Sequence, residues 1–560
     1  MSEASIQESA PATASAMRAE SDQNRWHRGY REAREDEMPV AGLTLGELLA
    51  RRARERPDHT YLVFEDPAGA VSEWTYARFD RQVDAVAHGL LAAGVRAGDR
   101  IILQLPNCVE FAVTVFAAAR LGAIFTPSNT ANRISEVAHL LRVTGARTVL
   151  ACPEYLEVVR GAVNEVGAAT QTTVVLCRGG EKEVPGLVLY EDLVAQGEAR
   201  ADGELPNTVD ALAPVEIMFS SGTTSLPKGV VATHTNLLSS GRRQAMSYRT
   251  GPDDRFLTAL PMFHASAQST TLFAAIVAGG ATAVFIERYS ARRFWEQVRA
   301  HRTTRLTLVA MLLRTICAQP PAETDRDHRL RTIGYATNLV EEAQPIFERR
   351  FGIRLTNAYG LSEALTEVSI GPYEGDRHWP SVGRATMDRE VRIVGEDGQI
   401  LGPGEIGEIQ ILGVRGETVM KEYFNNPEAT ARAFQDGWLR TSDMGHLDAD
   451  GFLFFSDRDI DLIKVAGENV SATEVEAVLI GHPGIAGAAV IGVPDPVRDE
   501  AVKAFVVPAE GVGLTAAQVQ EFCDPLLARF KIPTIVEIVT ELPTNAVGKI
   551  EKKQLRSKSQ

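Results

Sequence analysis

The chain has 560 residues, enough for three or four structural units at the usual domain size, and its 44% hydrophobic and 23% charged residues are typical of a soluble globular protein. A small module and wholesale disorder are excluded. The net charge of −15 opposes unspecific attraction to nucleic acid or anionic lipid, so neither is an expected partner.

Residues 1–38 are rich in Ala, Ser, Glu and Arg with few large aliphatics, and they read as a disordered tail without the apolar core of a secretory signal. From Leu43, "LTLGELLARRARERP" puts Leu45, Leu48 and Leu49 at helical spacing until Pro57 stops it. Helix-length and strand-length patterns then alternate through "DRIILQLPN", "RTVLAC", "TTVVLC", "ATAVFIE" and "RLTLVAM", which predicts layered α/β sheets covered by helices. The most apolar long stretch, Thr271 to Ile286, contains Gly279-Gly280 and is shorter than the roughly 20 apolar residues of a spanning helix, so no integral membrane contact is expected. A cytoplasmic location is the default.

From about 390 to 455, Glu-Asp-Gly and Pro-Gly turn signals between β-rich runs predict a small antiparallel unit. The last 100 residues read strand, helix, strand, helix. The predicted organisation is a large N-terminal α/β domain over 39–458 that includes the small β unit, then a small, mobile α+β domain over 459–560. The five cysteines are scattered with no C-x-x-C pair, and no histidine stands at metal-ligand spacing; they read as reduced thiols.

Four segments carry chemistry. "FSSGTTSLPKGV", Phe219 to Val230, offers backbone N–H groups, hydroxyls and the Lys228 ammonium, a set that can wrap a polyphosphate or simply form a polar surface turn. "NAYGLSEAL", Asn357 to Leu365, presents Glu363 beside the hydroxyls of Tyr359 and Ser362, either as a Mg²⁺ ligand or as a solvated turn residue. "WLRTSDMGHLDADGFLFFSDRDID", Trp438 to Asp461, holds Asp443 and Arg458, a pair suited to a ribose and a phosphate or to an ordinary charged hairpin. "LPTNAVGKIEKKQL", Leu542 to Leu555, places Lys549 after Gly548, as a mobile ammonium for a distant site or as part of a basic tail.

The order and text of these segments, with "DRDIDLIKVAGENVSATEVE" between them, resemble the acyl-adenylate-forming superfamily of acyl-CoA synthetases, peptide-synthetase adenylation domains and luciferases. The resemblance covers about residues 40 to 556. "ERYSARRFWEQVRAHRTT", "HWPSVGR", "KEYFNNPEATA" and "DPVRDEAVKAFVV" are similar to the crotonobetaine/carnitine-CoA ligase branch. The resemblance implies ATP, Mg²⁺ and coenzyme A as cofactors or co-substrates, a carboxylic acid as substrate, and a C-terminal domain that rotates between adenylate formation and thioester formation. It implies that Ser221, Gly222, Thr223, Thr224 and Lys228 hold phosphates and that Glu363 binds Mg²⁺. Gly334, Tyr335, Asn357, Tyr359 and Gly360 would cradle adenine, Asp443 and Arg458 the ribose, and Lys549 the charge developing at the α-phosphate. Phe263, His264, Ala336, Asn338 and Leu361 would line the acyl pocket, with His264 equally readable as a packed core histidine. Lys464, Ala466, Gly467 and Glu468 would form the CoA passage, about a hinge near Ile460.

Ser225, Ser442, Ile460 and Ala466 depart from the commonest family text, with Ser225, Ser442 and Ala466 standing where glycine is usual. That motivates an alternative in which the protein only thioesterifies an adenylate supplied by a partner enzyme, with a non-catalytic ligand-binding protein as a third reading. The resemblance suggests a carnitine-like acid or a bulkier acid from fatty-acid, steroid, polyketide or terpenoid metabolism, and a homodimer.

Overall fold

The computed structural model describes residues 40–167, 172–179, 186–200, 203, 205, 209–220, 227–336, 343–456, 462–509, 511–543, 550 and 552–557. The predicted tail, the phosphate loop from Ser221 to Ser225, Asn338, Arg458, Ile460 and Lys549 lie outside the described residues.

The first helix, Leu45–Glu55, forms where the leucine spacing predicts it: Leu45, Leu48 and Leu49 are fully buried. Thr44 and Glu47 close a reciprocal capping box at its start, and Pro57 disfavours helical backbone at Arg56, which ends it. The fold is mixed α/β. One nine-stranded sheet has a parallel centre built from Thr60–Glu65, Thr282–Ile286, Arg255–Thr258, Arg305–Val309, Thr332–Ala336 and Leu355–Leu361, with antiparallel strands at both edges. A second, eight-stranded sheet runs from Glu422–Tyr423 through Lys228–Thr233, Pro214–Ser220, Ile124–Pro127 and Arg100–Gln104 to Val188–Leu189. Helices between the sheets bury a continuous apolar core, in which Tyr61, Phe79, Phe116 and Phe273 meet edge to face at centroid distances of 4.9 to 6.5 Å.

Between Glu390 and Ser456 the chain forms a five-stranded antiparallel sheet, as the turn signals predict, and also lends Glu422–Tyr423 to the eight-stranded one. From Leu462 the chain builds a separate small sheet with two layers of helix against it and its own core around Val470, Val475, Val490, Val506 and Val519. Because this core is distinct from the large one, the small unit meets the rest through surface contacts. Lys531 bridges Glu136 of the large unit and Glu474 of its own at 2.5 and 2.8 Å. Nearby, Arg133 donates to the Leu527 carbonyl at 3.2 Å and Ser135 to the Leu526 carbonyl at 3.2 Å. Among the described residues no helix is long and apolar enough to cross a membrane.

Candidate active site

A cavity of about 1170 Å³ opens where the strands Pro214–Ser220, Arg305–Val309, Thr332–Ala336 and Leu355–Leu361 end, at the carboxyl edge where α/β sheets bind ligands. Ser220, Val309, Ala336 and Leu361, the last residues of those strands, all line it.

Ser220 and Lys228 are register partners across the two strands that flank the phosphate-loop segment, so both feet of that loop stand at the cavity. Glu363 faces them. One of its carboxylate oxygens accepts the Ser220 hydroxyl at 3.0 Å and the Tyr423 hydroxyl at 2.9 Å, and the Lys228 ammonium sits 5.1 Å from the centre of the Tyr423 ring. Burial, and next the charge of Glu363, push the Tyr423 hydroxyl far above its ordinary pKa, which keeps it a donor. Among the described residues both of these bonds fall on one Glu363 oxygen, and an oxygen-rich corner of this kind fits a hard cation such as Mg²⁺. Sequence reading missed Tyr423. It arrives through pairing of Glu422–Tyr423 with Lys228–Thr233, a contact about 190 residues apart that no local motif encodes.

The turn carrying Glu363 is strained. Leu365 and Thr366 have φ of 54° and 82°, the second unusual for a β-branched residue. Gly360 makes the turn possible, since a Cβ there would stand 2.4 Å from the Thr366 carbonyl oxygen. Gly334 has a comparable role: a Cβ would meet the Tyr248 hydroxyl at 2.3 Å.

Gly334, Tyr335, Tyr359 and Gly360 line the cavity. Asp443 and Asn357 do not, and there the structure departs from the simple expectation of direct ligand contact. Asp443 is fully buried and accepts the Tyr359 hydroxyl at 2.6 Å, while the Asn357 amide turns to the Ser381 carbonyl at 3.4 Å and to its neighbour's N–H. Both stand directly behind the wall, with Thr441 and Ser442 at its face. Ser442 adopts φ +60°, the left-handed conformation for which glycine is the usual residue.

Phe263, His264, Ala336 and Leu361, expected at an acyl pocket, line the same cavity. Asn107 anchors the Leu260–His264 loop: its side-chain oxygen accepts the Met262 N–H at 2.6 Å and its amide donates to the Leu260 and Ile286 carbonyls. From the small unit, the hairpin of Leu462–Val465 and Glu468–Ser471 reaches into the cavity with Lys464, Ala466, Gly467 and Glu468. Lys464 lies 4.8 Å from the Phe455 ring centre, and a Cβ added at Gly467 would meet the Val309 side chain at 3.5 Å. Ala466, like Ser442, holds a left-handed φ, of +53°.

His264 is not a packed core histidine: its Nε2 pairs with the Glu468 carboxylate at 3.0 Å across the two units. Burial opposes charge on the imidazole, but the Glu468 carboxylate outweighs it and raises the His264 pKa. Burial likewise opposes the Glu468 charge, and His264 outweighs it and lowers that pKa, with help from Asn129. The cysteines are free as expected. One histidine does gather carboxylates, His378 with Asp448 and Asp450, although no sequence spacing points to it. There Asp448 accepts His378 Nδ1 at 2.6 Å and the N–H groups of Asp450 and Phe452, which fixes the turn between Trp438–Leu447 and Leu453–Ser456.

A large α/β unit with an open cavity at its strand ends, entered by a hairpin from a second, separately cored unit, is the arrangement of an enzyme that joins two substrates in a cleft between domains. The family description "AMP-binding enzyme" matches residues 49–424 and "AMP-binding enzyme C-terminal domain" matches 474–549. A crotonobetaine/carnitine–CoA ligase of Salmonella paratyphi A is 39% identical over 92% of this chain and 99% of its own. Among solved structures, a Bacillus subtilis o-succinylbenzoate CoA synthetase double mutant bound to its product analogue OSB-NCoA is 28% identical, with a TM-score of 0.77 over 91% of this chain and 97% of its own. ATP-bound MatB of Rhodopseudomonas palustris is also 28% identical, with a TM-score of 0.66 over 92% and 99%. The chain belongs to the AMP-binding enzyme family. It is an ATP-dependent acyl-CoA synthetase, which joins a carboxylic acid to CoA through an acyl-adenylate.

Proposed function

We propose that the described arrangement is the one used for thioester formation, and that the small unit leaves it for adenylate formation. The observation that carries this is the hairpin itself: Ala466, Gly467 and Glu468 stand in the cavity, tied to the large unit through His264 and through Lys531 with Glu136. Similarity supports it too. At equal identity, the overlay is better with the chain bound to a CoA product analogue than with the ATP-bound chain, a difference that domain arrangement can account for.

In this reading Lys228, with the Ser221–Thr224 loop, holds the triphosphate, and Glu363 would hold Mg²⁺, which would supply positive charge where two anions must approach. Tyr423 and Ser220 fix the carboxylate of Glu363. Asp443 orients Tyr359, which with Gly334, Tyr335 and Gly360 forms the nucleotide wall, while Lys549 acts at the α-phosphate when the small unit has turned. The carboxylate oxygen attacks the α-phosphorus and pyrophosphate leaves; the CoA sulfur then attacks the acyl carbon and AMP leaves, its proton passing to solvent. The acid is small and polar, as those named for the Salmonella relative are, while the side chains of this chain's own cavity decide whether its far end is charged. The turning point of this reading is the segment near Ile460, between the two units.

The test is a paired assay on the purified chain: pyrophosphate release from ATP over a panel of acids, and thioester formation from each preformed adenylate with CoA. Both are expected for the same acids. Thioester from adenylates alone would overturn the two-step reading in favour of a thioesterifying enzyme that depends on a partner.

A further inference from the structure

The acyl side of the cavity contains a carboxylate that adenylation and thioester formation leave unused. Glu367 lies on the strand Thr366–Ile370, is 8% exposed, and lines the cavity beside Tyr248 and Thr366. Its Oε2 accepts the amide of Gln244, which stands behind the wall and does not line the cavity. Its own backbone N–H and the Thr366 hydroxyl also bond it, three bonds with that of Gln244, and Thr366 in turn meets Ser269 at 3.0 Å. A carboxylate accepts about four hydrogen bonds, so capacity remains on the cavity side.

The surrounding charge decides what kind of donor suits it. Arg243 and Arg389 both pair with Asp388, which leaves one guanidinium charge over in a buried cluster, and both arginines act on Glu367 electrostatically. The two carboxylates therefore balance the two guanidiniums. A ligand cation would leave one positive charge in excess in a buried site, whereas a neutral hydroxyl would satisfy the remaining lone pair without one.

We infer that Glu367 is a specificity-determining residue that selects acids carrying a neutral hydrogen-bond donor, a hydroxyl, toward the end of the acyl chain; this rests on the ligase reading above. A plain alkyl chain would desolvate the carboxylate without replacing its hydrogen bond, and sites built to bond a hydroxyl reject the analogue that lacks it.

The test compares straight-chain acids of three to eight carbons with their ω-hydroxy, ω-methoxy and ω-amino counterparts, in kcat/KM for thioester formation and in the Tm shift each gives without ATP. The native chain should prefer one or more ω-hydroxy acids over the matching alkyl and methoxy acids by about 10- to 100-fold. In Glu367→Gln, of nearly the same shape, the side-chain carbonyl stays on Gln244 and the amide N–H₂ faces the cavity. The methoxy acid, which only accepts, should then gain on the hydroxy acid by at least about tenfold, a change of preference that loss of packing alone does not produce. Equal preference for alkyl and hydroxy acids, preference for ω-amino acids, or an unchanged ratio in the variant would overturn the inference. If no acid is turned over, the ligase reading fails while the ranking of Tm shifts still decides this one.

Discussion

Glu136 tests whether the docked position of the small unit serves only one half-reaction. Lys531 is 9% exposed between Glu136 and Glu474, at 12% and 8%. Burial works against its charge, but Glu136, then Glu474, outweigh it and raise its pKa. Glu474 travels with Lys531, so of these two ion pairs turning the small unit breaks only the one with Glu136. Glu136→Gln keeps the bond from the side chain to the Arg133 N–H at the helix start, at 2.8 Å, and removes the charge facing Lys531. A hydrogen bond to a charged group is worth about 1.5–3 kcal/mol against about 1 for a neutral one, and relief of repulsion between the two carboxylates trims the difference to about 1 kcal/mol. Thioester formation from preformed adenylate, in single turnover, should therefore slow about fivefold, while pyrophosphate release stays within about twofold of the native rate. Equal slowing of both steps, or none in thioester formation, would refute the reasoning.

Four further outcomes are expected. Glu363→Gln should raise the Mg²⁺ concentration needed for half-maximal pyrophosphate release by about tenfold or more, since a charged hard ligand becomes neutral. Ser442→Gly and Ala466→Gly each relieve a left-handed side chain costing about 1–2 kcal/mol against about 0.5–1 of added chain entropy, so Tm should rise slightly in each, as measured by calorimetry. The His264–Glu468 pair is complete only where both are charged. The raised His264 pKa gives a contribution present below the ordinary imidazole value and lost as pH rises through the raised one; the lowered Glu468 pKa gives one present above the ordinary carboxyl value and lost as pH falls through the lowered one. Glu468→Gln should flatten the high-pH decline of thioester formation. Glu216, buried and accepting the Gln268 amide at 3.0 Å, has its pKa pushed up to about 8 by burial, so the folded chain holds a proton that the unfolded chain loses from about pH 4.3 upward. Stability should fall as pH rises toward 8, and less steeply in Glu216→Gln, followed by urea midpoints.

Much of the fold was legible because it is written in short-range patterns. The leucine spacing of Leu45–Glu55, the alternation of helical and apolar runs, and the turn signals between 390 and 455 each encode a local element. The site was legible where its text is contiguous, as at Tyr359, Glu363 and the Lys464–Glu468 hairpin. It was not where function depends on side chains meeting across the fold. Tyr423 reaches Glu363 by strand pairing, Lys531 reaches Glu136 across 395 positions, and Glu367 faces the cavity only because the strained Leu365–Thr366 turn directs it there. The placement of Asp443 behind Tyr359 was likewise hidden, since a motif gives a residue's neighbours in the chain and not the direction of its side chain.

The central claim, ligation through an acyl-adenylate, is tested most directly by isotope transfer. An acid that is turned over, labelled with ¹⁸O in both carboxylate oxygens, is incubated with ATP, CoA and the purified chain, and AMP is examined by mass spectrometry. The account predicts one ¹⁸O in each AMP formed, the oxygen that attacked the α-phosphorus and stayed with it when sulfur displaced AMP. Label in inorganic phosphate with none in AMP would contradict it, placing activation at the γ-phosphate.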